Sequence, residues 1–480
     1  MGIRRCLILA WTVAALQVLS MAQDQPQNPQ DSTSQGSSND GSVRTAPAPA
    51  LSAIAGVQEE SGAEDTSGDL PPIPGLLGGP GISTAFQSEL QRSNYLRGGI
   101  NVSTTYDDNP LMVSNGVESN TSETIFPNIS INESTSRMRW ALGYAGGLTV
   151  NQKITSQNSG SHNLNFNSQF RLSPHVNLRV AENFSMTTGF FDAVNGAEVV
   201  SGSGGPNTSL ITPLATQRSS MTTVETNYHF ALKDLIGASG SFSDLHFSNV
   251  SAGTPLTDTE TASASAFWQH RTFHENWTGL SYHFDRITYN SGGSETRVHS
   301  FLATNTLSLW KRFTLTGSIG PQYSENQGLV IGAMQSSQSS SWSISGGLEG
   351  GWHGERTSMT AGFSRSVSDG GGLLGAVHMQ TVRGSFRRVL FPGWAVSLTG
   401  SHGTNQSITV PILTSASSIN TTSAGVTLER NVGKSVGLRF GYTHNFQEQI
   451  GVPGFAQSLD ANDNRFMMTL SYQWAKPLGM

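Results

Sequence analysis

The stretch that decides the fold is Trp342-Ser343-Ile344-Ser345-Gly346-Gly347-Leu348-Glu349-Gly350-Gly351-Trp352. Large apolar side chains occupy only its even-numbered positions, and its serines and its glutamate occupy only odd-numbered ones. Side chains alternate between the two sides of a β-strand, so this pattern predicts a strand with one apolar and one wet face. The two tryptophans lie ten residues apart, which is roughly 33 Å of strand at about 3.3 Å per residue. At a tilt of about 45°, that strand spans roughly 23 Å of membrane, close to the apolar band of about 25 Å that aromatic residues bound in transmembrane β-barrels.

The same alternation recurs in residues 138–150, 164–172, 313–320, 436–443 and 466–474. A soluble β-sandwich also alternates, and it is the main alternative. Long strands, aromatic residues gathered at strand ends, and a polar set rich in Gly, Ser, Thr and Asn all favour a barrel around water. We therefore predict an all-β chain that forms a transmembrane antiparallel meander β-barrel. Its predicted aromatic girdle consists of Trp140, Trp342, Trp352, Trp394, Tyr472 and Trp474.

Tight turns mark a repeated design of a strand, a turn, a strand and a longer polar loop. They occur near Ser173-Pro174, Lys233-Asp234, His274-Glu275, Lys311-Arg312, Gly354-Glu355, Pro392-Gly393 and Val432-Gly433. After the first gap, successive turns are about 40 residues apart, which is one hairpin plus one longer loop. The count is eighteen strands, with sixteen as the alternative, because residues 124–131 contain Pro127 and residues 247–289 alternate less cleanly. An even count places the tight turns in the periplasm and the long loops, led by residues 190–216 and 449–460, outside.

The N-terminal region predicts export. Arg4 and Arg5, an apolar run, and small residues at Ser20 and Ala22 are typical of a cleaved signal peptide over residues 1–22. A membrane anchor is the alternative, but the run is short for a spanning helix. Residues 23–95 carry a net charge of −7 and are rich in polar residues and proline, which predicts a disordered periplasmic leader. Residues 83–94 favour a short helix within it. The barrel is expected over residues 96–480.

Composition excludes several function classes. Without Arg4 and Arg5 the chain keeps 25 basic and 33 acidic residues, so it lacks the basic footprint that nucleic-acid binding requires. The one cysteine, Cys6, leaves with the signal peptide, and the twelve histidines are scattered singly, which argues against a zinc site. The sequence has no Gly-x-Ser-x-Gly elbow set between a strand and a helix, and it has no phosphate-binding Gly-x-x-x-x-Gly-Lys-[Ser/Thr] loop. We expect neither enzymatic activity nor a cofactor.

The predicted wet face carries more positive than negative charge. By alternation, three glutamates point into the lumen, Glu225, Glu349 and Glu429, together with seven arginines: Arg97, Arg139, Arg171, Arg179, Arg383, Arg387 and Arg439. A basic ring in an aqueous path favours anions. The alternative is that these arginines pair with nearby carboxylates and only brace the wall. The sequence leaves both interpretations open.

Two acidic clusters offer weak candidates for a calcium site. Asp107 and Asp108 end the first predicted strand, and residues 460–464 hold Asp460, Asp463 and two asparagines before the last strand. Carboxylates are calcium ligands. The simpler interpretation, which we favour, is that Asp and Asn bond their own backbone at loop openings.

The order of three motifs resembles a known family. Thr104-Thr105-Tyr106-Asp107-Asp108-Asn109-Pro110 is followed by Glu123-Thr124-Ile125-Phe126-Pro127-Asn128-Ile129 and then by Trp140-Ala141-Leu142-Gly143-Tyr144. This order resembles the opening of the β-barrel porin family of Gram-negative outer membranes, some relatives of which are associated with exopolysaccharide export. The resemblance implies an outer-membrane location and supplies no catalytic residues.

The expected function is passive passage of small solutes, or export of a polysaccharide, through the lumen. Outer-membrane lipid and the barrel-assembly machinery are the expected partners. The alternative is a non-conducting structural or surface-binding barrel whose long loops hold a partner.

Overall fold

The structure is a computed structural model that describes residues 94–111, 118–155, 158–188, 215–248, 256–273, 276–290, 294–309, 312–329, 336–372, 375–408, 418–433, 435–450 and 460–478. The predicted signal peptide, nearly all of the predicted leader, and most of the loops at 190–216 and 449–460 lie outside these residues.

The described residues form eighteen strands, whose bounds are as follows. They are β1 (Tyr95–Asp107), β2 (Asn120–Ser134), β3 (Met138–Asn151), β4 (Ser159–Arg171), β5 (Val176–Thr188), β6 (Thr216–Ala231), β7 (Asp234–Ser248), β8 (Thr259–Phe273), β9 (Asn276–Tyr289), β10 (Ser294–Leu309), β11 (Phe313–Leu329), β12 (Ser336–His353), β13 (Thr357–Ser368), β14 (Val377–Phe391), β15 (Trp394–Ser407), β16 (Ser418–Val432), β17 (Val436–Ile450) and β18 (Ala461–Pro477).

Each strand pairs antiparallel with the next one in the chain, and β18 pairs back onto β1. In that closing pair Tyr95 lies opposite Pro477 and Asp107 lies opposite Arg465. Closure removes the two free edges that an open eighteen-stranded sheet would have, as a lipid environment requires. The predicted meander barrel of eighteen strands is confirmed, and the sixteen-strand alternative is wrong. Pro127, which prompted that alternative, is accommodated within β2 opposite Ile100.

The two faces of the wall differ as the alternation predicts. Trp342, Ile344 and Leu348 on β12 are 72, 62 and 52 % exposed on the outside, whereas Ser345 between them is 5 % exposed. The outer surface is therefore apolar, as lipid requires, and the polar side chains line the inside. Among the described residues, none of the helical segments has the length and apolar character needed to cross a membrane.

The connections at one rim of the barrel are short, at two to four residues, and those at the other rim are longer except for the four-residue β9–β10 connection. The short ones coincide with the predicted tight turns, and one more, at residues 135–137, joins β2 to β3. That turn is closed by a hydrogen bond from the Thr135 backbone N–H to the Met138 carbonyl oxygen, 2.7 Å. We call this rim of the barrel the short-turn end and the opposite rim the long-loop end.

Candidate functional site: the inner wall of the barrel

An exposed ion pair crosses one strand on the inner wall. Arg383 on β14 donates to Glu349 on β12 at 2.8 Å, although β13 lies between them. Gly362 of β13 is opposite both residues, and a Cβ there would lie 3.4 Å from Arg383 Nε and 3.7 Å from Glu349 Cγ. The missing side chain at Gly362 leaves room for the two long side chains to meet. About half of each partner is exposed, so the pair lies in the open part of the lumen.

A second, buried group lies nearer the short-turn end. Glu429 on β16 accepts from Arg439 on β17 at 2.6 Å and from Arg387 on β14 at 3.1 Å. Arg439 is its direct cross-strand neighbour, whereas Arg387 reaches across β15, where Ala395 and Ser397 are small. The three side chains are only 10–15 % exposed. We call Arg387, Glu429 and Arg439 the inner triad, which carries a net charge of +1.

These contacts bear on the two interpretations of the inward arginines. Arg383, Arg387 and Arg439 all have carboxylate partners, so the local pairing that the sequence left open is what the structure shows for these three. Two glutamates for three arginines leave one positive charge in excess. These ion pairs therefore stabilise the wall, and the inner face keeps a small positive charge here.

The remaining predicted lumen arginines lie on other strands, but at one level. Arg97, Arg139 and Arg171 are each within two residues of the short-turn end of β1, β3 and β4. Arg179 on β5 lies opposite Glu225 and also donates to Asn167 Oδ1 at 3.4 Å. The basic band around the short-turn half of the inner wall consists of the inner triad together with Arg97, Arg139, Arg171 and Arg179. The sequence gives the inward direction of each arginine, but only the strand register shows their common height.

A segment of the β13–β14 connection folds against β8 at the long-loop end. Asp369 Oδ2 accepts from the Thr259 hydroxyl of β8 at 3.2 Å, and the Gly372 carbonyl oxygen accepts from the Thr257 backbone N–H at 2.9 Å. Three glycines, residues 370–372, have φ values of 69, 60 and 80°, which other residues rarely adopt. β8 and β13 are five strands apart in a barrel of eighteen, and Thr259 is on the inner face, so the segment covers part of the mouth on its lumen side. We call residues 369–372 the inward segment.

Apolar side chains occupy the inner face of β7–β10, which the polar-lumen expectation did not foresee. Near the inward segment, Ile287, Tyr289 and Val298 pack with Val367 and Ala376. At the short-turn end, a second cluster contains Leu235, Phe267 and Trp277. These strands carry apolar residues on both faces, which explains why residues 247–289 alternate less cleanly. The sequence signal was present but was taken as uncertainty in the strand count.

The predicted girdle residues lie at two levels on the outer face. Trp140, Trp352, Trp394, Tyr472 and Trp474 all lie near the short-turn end of their strands, and Trp342 lies towards the long-loop end. Trp342 continues a row of rings through Tyr323, His299 and Tyr282 on neighbouring strands, with centroid separations of 5.1, 6.4 and 6.3 Å. This row includes three residues that the sequence analysis did not assign. The arrangement supports two aromatic levels, as a bilayer with two interfaces requires.

Comparison with known proteins gives likeness of fold alone. No protein-family model matches the chain, and no curated protein matches it. The ferric citrate transporter FecA in its unliganded form is 9 % identical, with a TM-score of 0.42 over 78 % of each chain. OpdK of Pseudomonas aeruginosa is 10 % identical, with a TM-score of 0.38 over 79 % of this chain and 99 % of that one. At such values the likeness carries no conclusion about what this chain binds or transports.

The class of the protein follows from its own geometry. A closed antiparallel barrel with an apolar outer face, aromatic residues at two levels and charged pairs inside is a transmembrane β-barrel. The resemblance of residues 104–144 to a porin family stays a prediction.

Proposed function

We propose that this chain is a Gram-negative outer-membrane barrel that lets small solutes pass through its lumen. The observation that carries the proposal is the exposed Arg383–Glu349 pair on the inner wall. Such charged side chains belong to a water-filled path, because lipid or a dry interior would penalise them. The strand count of eighteen also supports a lumen wide enough for solutes, since barrel diameter grows with strand number.

The basic band suggests which solutes pass most easily. Arginines outnumber glutamates on the short-turn half of the inner wall, and the inner triad has a net charge of +1. Fixed positive charge in a narrow aqueous path attracts anions and repels cations. We propose a mild preference for small anions, which local pairing with Glu349 and Glu429 limits.

A non-conducting barrel is the competing function, and the inward segment favours it. Its contacts with Thr257 and Thr259 place backbone across part of the mouth. In such a barrel the long loops would bind a partner at the surface. Conductance separates the two functions directly.

Planar-bilayer recording of the purified full-length mature chain tests the proposal. We expect open-channel conductance that scales with salt concentration and a reversal potential on the anion side in a salt gradient. Absence of conductance, both in the mature chain and after deletion of residues 23–95, would reject passage and favour the binding barrel. Membrane location has its own test: the protein should stay in the membrane fraction after carbonate washing and run faster on gels when unheated.

The selectivity has a separate test with a matched control. Replacing Arg383, Arg387 and Arg439 together by Gln changes the inner wall by three charges and should shift the reversal potential towards cations, most strongly at low salt. Arg430→Gln is the control, because Arg430 lies on the outer face over the Trp394 ring, 5.1 Å from its centroid. The same shift in both variants would refute a lumen effect.

A further inference from the structure

The closing strand pair brings together two acidic segments that are far apart in the sequence. β1 ends at Asp107, and Asp108 follows it; Asp463 and Asn464 lie at the start of β18. Asp108 and Asn464 are 356 positions apart in the chain, yet they are neighbours at the long-loop end of the barrel. The sequence analysis treated the two segments separately, because only barrel closure unites them.

Hydrogen bonds fix two of the carboxylates at this junction. The backbone N–H and the side-chain amide of Asn464 donate to the two oxygens of Asp108, at 2.7 and 2.8 Å. Asp107 accepts from the Asn109 backbone N–H at 2.9 Å and from Arg465 at 3.1 Å. Each oxygen has a second lone pair, so these bonds orient the carboxylates and leave them able to bind a cation.

The third carboxylate, Asp463, is the unusual one. Its residue is 0 % exposed, and its Oδ1 is a buried atom with no hydrogen-bond partner, while Oδ2 accepts from Asn445 at 3.2 Å. One oxygen from each of Asp107, Asp108 and Asp463 lies within 4.8 Å of the others. A buried carboxylate oxygen without a donor is costly, and two further acids beside it raise that cost. Among the described residues, one guanidinium, that of Arg465, forms an ion pair with the cluster, so three carboxyl groups share a single positive partner.

We propose that Asp107, Asp108 and Asp463 bind one Ca²⁺ ion, which ties the first strand to the last. A divalent cation supplies the missing partner of Asp463 Oδ1 and balances the negative charge that Arg465 alone does not neutralise. The donor set consists of oxygens alone. Such a set suits a hard cation such as Ca²⁺ or Mg²⁺ better than zinc or copper, which favour nitrogen and sulfur ligands. Calcium is favoured over magnesium because it accepts irregular oxygen geometry with many ligands. The inference holds whether or not the lumen conducts.

Calcium titration of the purified full-length mature chain, folded in detergent and stripped with EDTA, tests this site. We expect one ion per chain by calorimetry, and Tb³⁺ at the same site should give luminescence sensitised by the adjacent Tyr106. Asp463→Asn should weaken Ca²⁺ binding by about tenfold or more, a loss that even outer-shell changes produce at metal sites. Asp244→Asn is the matched control, because Asp244 lies towards the same end of the barrel and pairs with Arg218 at 3.6 Å. The control should bind as the wild type does.

Folding is checked in every variant by the difference in gel mobility between heated and unheated samples. If Asp463→Asn does not fold, Asp108→Asn, which is less buried, takes its place with the same expected loss. Calcium should also raise the unfolding temperature of the wild type and leave that of the variant unchanged. Absence of uptake by the wild type would overturn the proposal, as would equal uptake by wild type and variant. The proposal would also be overturned if Asp463→Asn raised the unfolding temperature in the absence of calcium. That result would mean that the Asp463 carboxyl needs only to lose its charge.

Discussion

Glu429→Gln is the sharpest test of the inner wall, because one carboxylate serves two buried arginines. The substitution keeps the shape of the side chain and one accepting oxygen, but removes the negative charge. Arg387 and Arg439 then face each other across a neutral amide. At 12 and 15 % side-chain exposure, neither guanidinium can recover full hydration without moving.

The size of the effect follows from burial. Removing one partner of a buried ion pair costs about 3–5 kcal/mol, because it leaves an uncompensated charge. Glutamine still accepts a hydrogen bond, so we expect about 3 kcal/mol for Glu429→Gln, towards the lower limit. Glu349→Gln is the matched comparison, since Glu349 also pairs with an inward arginine but both partners are about half exposed. There the expected loss is about 0–1 kcal/mol.

Urea unfolding of the two variants and the wild type in detergent measures the difference, with tryptophan fluorescence as the signal. The midpoint for Glu429→Gln should fall clearly below that for Glu349→Gln, at similar slopes. Equal losses in the two variants would refute the reasoning, because burial would then not decide the strength of these pairs.

Three further predictions concern the faces, the mouth and the closing seam. Leu348→Arg, on the outer face of β12, should cost about 2–4 kcal/mol of unfolding free energy in lipid. Thr399→Arg, on the exposed inner face of β15, should cost under about 1 kcal/mol. Similar losses in the two variants would contradict the assigned faces. Asp369→Ala removes the acceptor of Thr259 and should raise single-channel conductance, and unchanged conductance would show that the inward segment does not narrow the path. Gly98→Val should displace the Trp474 ring, because a Cβ added at position 98 would lie 2.4 Å from Trp474 Cζ2. The expected loss of unfolding free energy, measured with urea, is about 1–3 kcal/mol. Unchanged stability would show that this packing is unimportant.

Much of the wall could be predicted because barrel strands obey a local rule. Lipid selects apolar side chains at every second position, so Trp342, Ile344 and Leu348 reveal their strand without knowledge of any neighbour. Turns such as Pro392-Gly393 also depend on adjacent residues alone, and together with the alternation they supported the count of eighteen. The alternation is less regular where another segment of the chain packs against the inner face. Ile287 and Val298 are apolar on the lumen side because the β13–β14 connection packs there, and nothing near them in the sequence indicates that partner.

The sequence by itself determined the all-β class, the apolar outer face and the inward direction of the arginines, since each depends on short-range periodicity, and it favoured eighteen strands without excluding sixteen. Tertiary structure alone decided which charges meet. Glu429 binds Arg387 across an intervening strand, because register fixes side-chain height and Ala395 and Ser397 leave space. It also decided that Asp108 and Asn464 are hydrogen-bonded neighbours. Closure of the barrel joins the two ends of the meander, and distance along the chain carries no information about that contact.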